Sequence, residues 1–246
     1  MLKGSSIMTH METLQKIICD SGNIVFFGGA GVSTESGIPD FRSAGGLYRR
    51  MNRISPETIL SRGYFMAHPE EFFSFYREAL VYPDARPNKA HLKLAELEKS
   101  GKLKAVITQN IDGLHQKAGS RIVLELHGSV ERNYCLSCGK KHDMAFMLHA
   151  AGIPRCSCGG IVRPDIVLYE EPLDERIQRS ACHYISEADV LIVGGSSLVV
   201  YPAAGFVRYF KGRHLVIINR SDTTYDGKAS LVIRDNICGV MEKIRV

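Results

Sequence analysis

Residues 23–34 read Asn-Ile-Val-Phe-Phe-Gly-Gly-Ala-Gly-Val-Ser-Thr, an apolar run that passes directly into a glycine-rich segment. The β-branched and aromatic residues predict a buried strand over Asn23–Phe27. The glycines predict a tight turn in which the backbone can approach a pyrophosphate, and a purely structural turn is the alternative. The pattern departs from a dehydrogenase fingerprint, because Thr34 replaces the third glycine, Pro39 shortens the next helix and no acidic residue follows about 20 residues later. Hydride-transfer chemistry is therefore disfavoured.

Five further runs of this kind follow, at Lys104–Thr108, Ile122–Leu126, Val190–Gly194, His214–Asn219 and Leu231–Arg234. Helical patterns occur at Met11–Asp20, Asn88–Ser100, Asp174–Glu187 and Pro202–Phe210. Strands that alternate with helices are typical of parallel βαβ units, so the sequence predicts an α/β fold with a doubly wound, mainly parallel, Rossmann-like sheet. Ligands of such a sheet bind beyond the carboxyl ends of its strands.

The helix over Asn88–Ser100 has the clearest end signals. Asn88 is suited to cap its first turn, and Gly101 stands where a left-handed residue commonly ends a helix. Apolar residues at Leu92, Ala95 and Leu97 predict the face that packs on the core.

Two segments interrupt the alternation of strands and helices. Residues 41–86 are strand-poor and rich in aromatic residues, whereas residues 129–168 contain four of the seven cysteines. We predict that the first forms a helical module and the second a zinc-binding module, which together make a smaller lobe. The part of the chain that forms the Rossmann-like sheet then comprises residues 11–40, 87–128 and 169–246. Residues 1–10 are expected to be a leader or a cloning remnant outside the fold.

The composition is that of a globular protein, with 45% hydrophobic and 23% charged residues. The net charge of +5 is spread along the chain, which argues against direct nucleic-acid binding and against a membrane-surface anchor. No apolar run approaches the roughly 20 residues that cross a bilayer. Seven cysteines, of which four cluster, do not suit a disulfide framework and predict a reducing, cytoplasmic location.

The clustered cysteines carry a metal-binding signal. Cys135 and Cys138 are separated by two residues, and Cys156 and Cys158 by one. Two such pairs can complete a tetrahedral zinc site with four thiolates, which leaves no position for water or substrate. We therefore predict one structural zinc ion per chain, with a redox or adventitious cluster as the alternative. Two nearby histidines are expected to be solvent-exposed rather than ligands: His142 and His149.

Polar residues follow several of the predicted strands, at the edge of the sheet where ligands bind. Thr108–Asp112 follows one strand, and Asp112 could equally be a helix cap. His127 follows another, where it is placed well for general-base catalysis near neutral pH, although a structural histidine is the alternative. Gly194–Ser197 and Asn219 follow two more strands and offer groups that bind phosphate or ribose.

These motifs, taken together, resemble one known family. Residues 29–42, Gly-Ala-Gly-Val-Ser-Thr-Glu-Ser-Gly-Ile-Pro-Asp-Phe-Arg, resemble the signature of the sirtuins, NAD-dependent protein-lysine deacylases. The segment Thr108–Asp112, the His127-Gly128 pair, the cysteine quartet, the Gly195–Leu198 run and Asn219 occur in the family's order. The resemblance extends from about residue 23 to the C-terminus and implies NAD and zinc as cofactors.

The resemblance also implies roles for particular residues. His127 and Asn110 would be catalytic, with His127 as the base. Asn110 and Gln109 would position the nicotinamide ribose, while Ile111 and Asp112 would hold the carboxamide. Phe41 would cover the nicotinamide. The implied contacts with NAD are Gly29, Ala30, Gly31, Thr34, Phe41, Arg42, Gln109, Asn110, Ile111, Asp112, His127, Ser196, Ser197, Asn219 and Ile237.

The implied reaction is the deacetylation of acetyl-lysine in proteins. Nicotinamide leaves the anomeric carbon, the amide oxygen of the acyl-lysine attacks there, and His127 deprotonates a ribose hydroxyl. The products are free lysine, nicotinamide and 2′-O-acetyl-ADP-ribose. A protein mono-ADP-ribosyltransferase is one alternative function, and a non-catalytic module that binds NAD or zinc is another.

The implied partner is an acetylated protein or peptide, added as a strand between two extended segments. The implied contacts are Val167, Leu168, Tyr169, Leu198 and Val199. This chain departs from the family there, because the usual Phe-Gly-Glu is Tyr169-Glu170-Glu171. Succinyl- and malonyl-selective sirtuins carry a Tyr-x-x-Arg pair, whereas Tyr76 is followed three residues later by Ala79, so an acetyl or a longer neutral acyl group is favoured.

Overall fold

The main sheet of the fold has six strands among the residues that the structure describes. The computed structural model describes residues 3–41, 46 and 54–246. All six predicted strands are confirmed, with ends within one residue of the prediction, and every neighbouring pair is parallel. Numbered along the chain, the strands are β1 (Ile24–Gly28), β2 (Leu103–Thr108), β3 (Val123–Glu125), β7 (Val190–Gly194), β8 (His214–Ile218) and β9 (Leu231–Ile233). Their order is β3-β2-β1-β7-β8-β9, so the chain winds in opposite directions from β1.

Both faces of the sheet are buried, which confirms the doubly wound fold. Alternate residues of a strand point to opposite faces. Phe26 accordingly packs with Leu14 and Leu94 of helices on one face, whereas Phe27 packs with Ile185 and Phe206 on the other. The point where the winding direction changes, between β1 and β7, is where such sheets bind ligands.

The helices mostly begin and end where the sequence predicts. Asn88 caps its helix and Gly101 takes the left-handed conformation, with φ of +78°. The α-helices are Lys3–Asp20, Pro56–Ile59, Arg62–Ala67, Pro69–Phe75, Lys89–Lys99, Leu114–Lys117, Met144–His149, Glu175–Glu187 and Ile237–Met241. A π-helical turn covers Tyr76–Leu80, and 3-10 turns cover Ala30–Val32, Thr34–Ser36, Ala203–Tyr209 and Asp226–Lys228. None of the described helices is long and apolar enough to cross a bilayer.

Two predictions about helices were wrong, and a third predicted helix is present but is not of the α type. The first helix begins at Lys3 rather than Met11 and includes residues expected to form a leader; no proline interrupts it, and the one glycine costs only about 1 kcal/mol. The segment Ala203–Tyr209 is a 3-10 helix, since it is short and contains a glycine. In the helix Lys89–Lys99, Leu92 is 52% exposed, and the buried stripe instead includes His91.

The two inserted modules form one smaller lobe. Its sheet is antiparallel, in the order β5-β4-β6, with strands β4 (Gly128–Cys135), β5 (Lys141–His142) and β6 (Val162–Ile166). Phe72 and Tyr76 of the helical module share a hydrophobic core with Cys135, Cys156 and Val162 of the cysteine-containing module. Edge-to-face contacts between Phe65, Phe72 and Phe73 stabilise this core.

Candidate active site

The glycine-rich turn at the end of β1 packs directly on the turn at the end of β7. The amide of Gly31 donates to the carbonyl of Gly195 at 2.8 Å, and that of Gly29 donates to Gly194 at 3.2 Å. A Cβ at Gly31 would lie 2.8 Å from the Gly195 Cα, and Gly195 itself has φ of +57°. The two turns therefore fit together only without side chains. Two 3-10 turns follow Gly29 in place of a long helix.

A cavity of about 500 Å³ opens above these turns, at the carboxyl ends of the strands and against the smaller lobe. That volume is typical of a small-molecule site. The predicted cofactor contacts line this cavity, as far as the structure describes them. Arg42 is the predicted contact that lies outside the described residues. The contacts that line the cavity are Gly29, Ala30, Gly31, Thr34, Phe41, Gln109, Asn110, Ile111, Asp112, His127, Ser196, Ser197, Asn219 and Ile237.

Ser33 organises the polar groups on one wall of this cavity. Its hydroxyl donates to Asp112 Oδ2 at 2.6 Å and accepts from Asn110 Nδ2 at 3.0 Å. The other carboxylate oxygen of Asp112 accepts the Leu114 amide at 2.9 Å, but the residue that caps the short helix Leu114–Lys117 is Gly113, so Asp112 is not the helix cap of the alternative interpretation. Sequence reasoning did not single out Ser33. Its position inside the glycine-rich signature was the available signal.

His127 has the orientation that a general base requires. Its Nδ1 lies 2.9 Å from the carbonyl oxygen of Gln109. Because a carbonyl can only accept, Nδ1 carries the proton of the neutral ring and Nε2 retains its lone pair. Burial lowers the pKa of His127, although the bond to Gln109 opposes this shift. The imidazole is therefore neutral near pH 7 and ready to accept a proton.

Gln109 links His127 to the turn after β7. Its backbone carbonyl holds the His127 ring, and its side-chain amide donates to Ser196 Oγ at 2.9 Å. Residues from three strand ends therefore occupy fixed relative positions in one cavity. Such preorganised polar groups are what a site needs in order to stabilise a developing charge.

The four clustered cysteines form a second centre, in the smaller lobe. Their Sγ atoms all lie within 4.8 Å of one another, with 3.5 Å from Cys135 to Cys158 and 3.8 Å from Cys138 to Cys156. Four thiolates around zinc at about 2.3 Å have sulfur–sulfur distances of about 3.8 Å, so the quartet fits the ion. Backbone hydrogen bonds, that from Cys138 first, lower the pKa of Cys135. The cysteines do not line the cavity, in agreement with a structural role.

The histidines near the quartet differ from each other. His149 is exposed, as expected, whereas His142 is half-buried. His142 lies against Phe146, and its Nε2 is buried without a hydrogen-bond partner among the described residues. The expectation of a solvent-exposed His142 is therefore wrong, because Phe146 covers one face of its ring.

One wall of the predicted peptide cleft is well ordered by hydrogen bonds. Tyr169 pairs with the chain before Arg62: its amide donates to Leu60 at 2.9 Å, and its carbonyl accepts from Arg62 at 3.0 Å. Glu170 has φ of +73°, which explains why glycine suits this position in the family, and its Oε2 accepts the Gly63 amide at 2.8 Å. Val167, Leu168 and Tyr169 all line the cavity.

The opposite wall differs from the prediction. Leu198 is 1% exposed and has φ of +53°, so this segment is not extended throughout. Neither Leu198 nor Val199 lines the cavity, whereas Val200 and Tyr201 do. The left-handed turn at Leu198 directs its side chain into the core, and the chain reaches the cleft two residues later.

The acyl-group prediction concerned Tyr76 and Ala79. Tyr76 is buried in the core of the smaller lobe, and burial raises the pKa of its phenol. It does not line the cavity, but Ala79 and Leu80 do. Arg220 is the one cation among the described residues that line the cavity, and it follows β8 of the main sheet rather than belonging to the smaller lobe.

The family assignment follows from comparison with known proteins. The family profile described as Sir2 family matches residues 29–202. An "NAD-dependent protein deacetylase" of Clostridium acetobutylicum is 57% identical over 242 residues, which cover 97% of this chain and 99% of that protein. A protein of the same name from Clostridium perfringens is 59% identical over 238 residues, covering 95% and 98%. The chain belongs to the Sir2 family.

Solved structures give the same assignment. A structure described as a complex of Sir2, a p53 peptide and NAD+ has a TM-score of 0.84 and 41% identity, covering 95% of this chain and 96% of that one. Another, of Sir2 bound to an acetylated peptide, has a TM-score of 0.83 and 39% identity, covering 95% and 96%. The expected sirtuin resemblance and the expected fold class are confirmed.

The cavity has the chemistry that NAD requires. Glycine backbone approaches it from two strand-end turns, which suits a pyrophosphate. The hydroxyls of Ser196 and Ser197, the amide of Asn219 and the carboxylate of Asp112 also line the cavity. Hydroxyl and amide groups suit a ribose, while a carboxylate can accept from a carboxamide. The residues present therefore fit the cofactor.

Proposed function

We propose that this chain is an NAD-dependent protein-lysine deacetylase that transfers the acetyl group of a modified lysine to ADP-ribose. The observation that carries the proposal is the convergence of His127, Asn110 and Asp112 on one cavity between the Rossmann-like sheet and the smaller lobe. A module that only binds the cofactor has no need of a neutral, oriented imidazole. NAD supplies a glycosidic carbon from which nicotinamide departs as the leaving group.

The residues on the cavity walls have separate tasks. Asp112, held by Ser33, accepts from the nicotinamide carboxamide, and Ile111 helps to hold the same group. Asn110 and Gln109 orient the adjacent ribose, while Ser196, Ser197, Asn219 and Ile237 contact the adenosine end. His127 removes a proton from a ribose hydroxyl through Nε2. Phe41, half-buried at the rim of the cavity, covers the nicotinamide side and limits access of water.

The acetylated peptide binds as an added strand. The Val167 carbonyl and the Glu170 amide have no backbone partner among the described residues, and neither does the amide of Val200, where the opposite wall reaches the cleft. A peptide between these segments would satisfy those groups from both sides. Leu168, Tyr169 and Leu198 would support the two walls. Because such pairing uses backbone atoms, the enzyme accepts varied sequences around the lysine.

The acyl group that suits the site is acetyl or a longer neutral one. Ala79 and Leu80 form the apolar lining on the side of the smaller lobe. A carboxylate placed there would lose its hydration without gaining a cation, which costs several kcal/mol. A panel of acetyl-, butyryl- and succinyl-lysine peptides tests this, and a preference for succinyl-lysine would contradict it.

The test of the proposal separates it from its alternatives. The purified protein is incubated with NAD and an acetylated peptide, and the products are identified by mass spectrometry. A deacetylase gives free lysine, nicotinamide and O-acetyl-ADP-ribose, whereas a mono-ADP-ribosyltransferase leaves ADP-ribose on the protein or peptide. A solved neighbour with a TM-score of 0.86 is described as holding a deacetylated p53 peptide and 3'-O-acetyl ADP ribose. Absence of every product would favour a binding module.

Two further proposals concern location and organisation. The enzyme works in the cytoplasm, because the cysteines of the described residues are unpaired and the quartet requires reduced thiols. Its dinucleotide-binding domain comprises residues 11–40, 87–128 and 169–246, with residues 41–86 and 129–168 as the helical and zinc-binding modules. Limited proteolysis at the junctions of these ranges tests the boundaries.

A further inference from the structure

The Ser33 hydroxyl uses all of its hydrogen-bonding capacity within the protein. Ser33 is fully buried, with an exposure of 0%. A hydroxyl has one proton and two lone pairs. The proton goes to Asp112 Oδ2 at 2.6 Å, because a carboxylate only accepts, and one lone pair accepts from Asn110 Nδ2 at 3.0 Å. The remaining neighbour is His91, whose Nε2 lies 3.5 Å from Ser33 Oγ.

The proton on His91 must be on the nitrogen that faces Ser33. His91 Nδ1 accepts the backbone amide of Asn88 at 3.2 Å, as part of the capping box of its helix. That amide is a donor, so Nδ1 has the lone pair and Nε2 carries the hydrogen. Burial lowers the pKa of His91 to about 4, although the charge of Asp112 opposes the shift, so the ring is neutral at pH 7.

We propose that His91 is a positioning residue: its Nε2 hydrogen fills the second lone pair of Ser33, which fixes the Ser33 proton on Asp112 and holds that carboxylate in the orientation that receives the nicotinamide carboxamide. The role rests on the proposed function, in which Asp112 contacts NAD. His91 itself does not line the cavity. Without it, the Ser33 hydroxyl can rotate, and Asp112 loses its fixed donor.

A second buried histidine provides a matched control. His115 is 1% exposed and its ring lies edge-on to that of His91, with centroids 4.7 Å apart. Neither of its nitrogens has a hydrogen-bond partner among the described residues. His115→Leu therefore removes a buried imidazole but no hydrogen bond to Ser33. His91→Leu removes a buried imidazole and the hydrogen bond to Ser33 as well.

The experiment compares His91→Leu, His91→Gln and His115→Leu with the wild type. Each protein is the full-length chain with its zinc ion bound. Steady-state assays give KM for NAD, KM for an acetylated peptide, and the inhibition constant of nicotinamide. We expect His91→Leu to raise KM for NAD and the nicotinamide inhibition constant about five- to tenfold, since one hydrogen bond in a network with a charged acceptor is lost. The KM of His91→Leu for the peptide should stay within about twofold of the wild-type value. In His115→Leu, KM for NAD and the nicotinamide inhibition constant should also stay within about twofold of the wild type.

The glutamine variant distinguishes positioning from packing. A glutamine amide nitrogen can occupy the place of Nε2, so His91→Gln should restore both constants to within about threefold of the wild type. If His91→Leu does not fold, the pair His91→Gln and His91→Asn replaces it, because the shorter asparagine cannot reach Ser33. Equal constants for His91→Leu and His115→Leu, or for the glutamine and asparagine variants, would overturn the proposal.

Failure of the proposed function gives a different result. Asp112→Asn tests the contact of the carboxylate with NAD directly. If Asp112→Asn leaves both NAD-side constants unchanged, the assigned role of Asp112 is wrong whatever the histidine variants do. If Asp112→Asn is strongly impaired while His91→Leu is normal, only the positioning role of His91 is wrong.

Discussion

The ion pair between Arg163 and Glu171 gives a prediction that the structure makes quantitative. Arg163 Nη1 and Nη2 donate to the two carboxylate oxygens of Glu171 at 2.6 and 3.0 Å. The side chains are only 9% and 17% exposed, so the pair is mostly desolvated. Glu171 Oε2 also accepts the Leu168 amide at 2.9 Å, and therefore fastens the proposed peptide wall to strand β6.

The change to test is Glu171→Ala. Removing one partner of a buried pair typically costs about 3–5 kcal/mol, part of which is the loss of an acceptor for a buried amide. Arg163 keeps two acceptors, the carbonyls of Pro164 and Ile166. The loss should therefore lie near the lower limit, at about 3 kcal/mol.

Urea unfolding followed by circular dichroism measures this loss. With a denaturant slope of about 2–3 kcal/mol per molar, the midpoint should fall by about 1 M. In the Arg163→Met background the same change should cost less by about 1.5 kcal/mol or more, because the partner charge is already absent. Asp20→Ala, which breaks the exposed Lys16–Asp20 pair, is the control and should leave the midpoint unchanged.

The same variant should affect one substrate more than the other. Loosening Leu168 disturbs the peptide wall but not the residues that contact NAD, so KM for the acetylated peptide should rise while KM for NAD stays nearly constant. A loss of less than about 1 kcal/mol, or equal losses in both backgrounds, would show that the pair is not the stabilising contact that its burial indicates.

Four further predictions concern the catalytic base, the metal and the left-handed wall residue. His127→Ala should reduce turnover by about 10²–10⁴-fold with little change in NAD binding by calorimetry, and retention of a tenth of the activity would remove His127 from the base role. Because burial lowers the pKa of His127, the neutral base persists on acidification, so the acidic limb of the pH–rate profile should lie below the ordinary value of 6.5. Metal analysis should find one zinc ion per chain, and chelation should unfold the smaller lobe, whose core includes Cys135 and Cys156; fully active zinc-free protein would contradict this. Glu170→Ala should lower the melting temperature more than Glu170→Gly, since both variants lose the bond to Gly63 but only alanine keeps the strain at φ of +73°, and the reverse order would show that this strain does not matter.

The features that the sequence predicted well depend on contacts that are close along the chain. The strands are runs of β-branched residues buried on both faces, and the paired cysteines lie two or three residues apart, so their spacing alone indicates a zinc site. The caps at Asn88 and Gly101 are equally local.

The features that sequence reasoning missed depend on distant partners. His91 lies 58 residues from Ser33, and the apolar pattern favoured Leu92 because a buried histidine looks polar. The inward turn at Leu198 was missed because its φ of +53° is unusual for a residue without a local reason to adopt it. The pairing of Tyr169 with Leu60 joins segments far apart in sequence, so no local pattern predicts it.

The contact between Gly31 and Gly195 has a consequence for how the protein is made. The backbone that receives the Gly31 amide belongs to residues synthesised more than 160 positions later. A nascent chain that ends before β7 already carries Asn110 and His127, yet its first turn has nothing to rest against. Affinity for the dinucleotide should therefore arise late in translation, so truncated products would neither consume NAD nor compete for it.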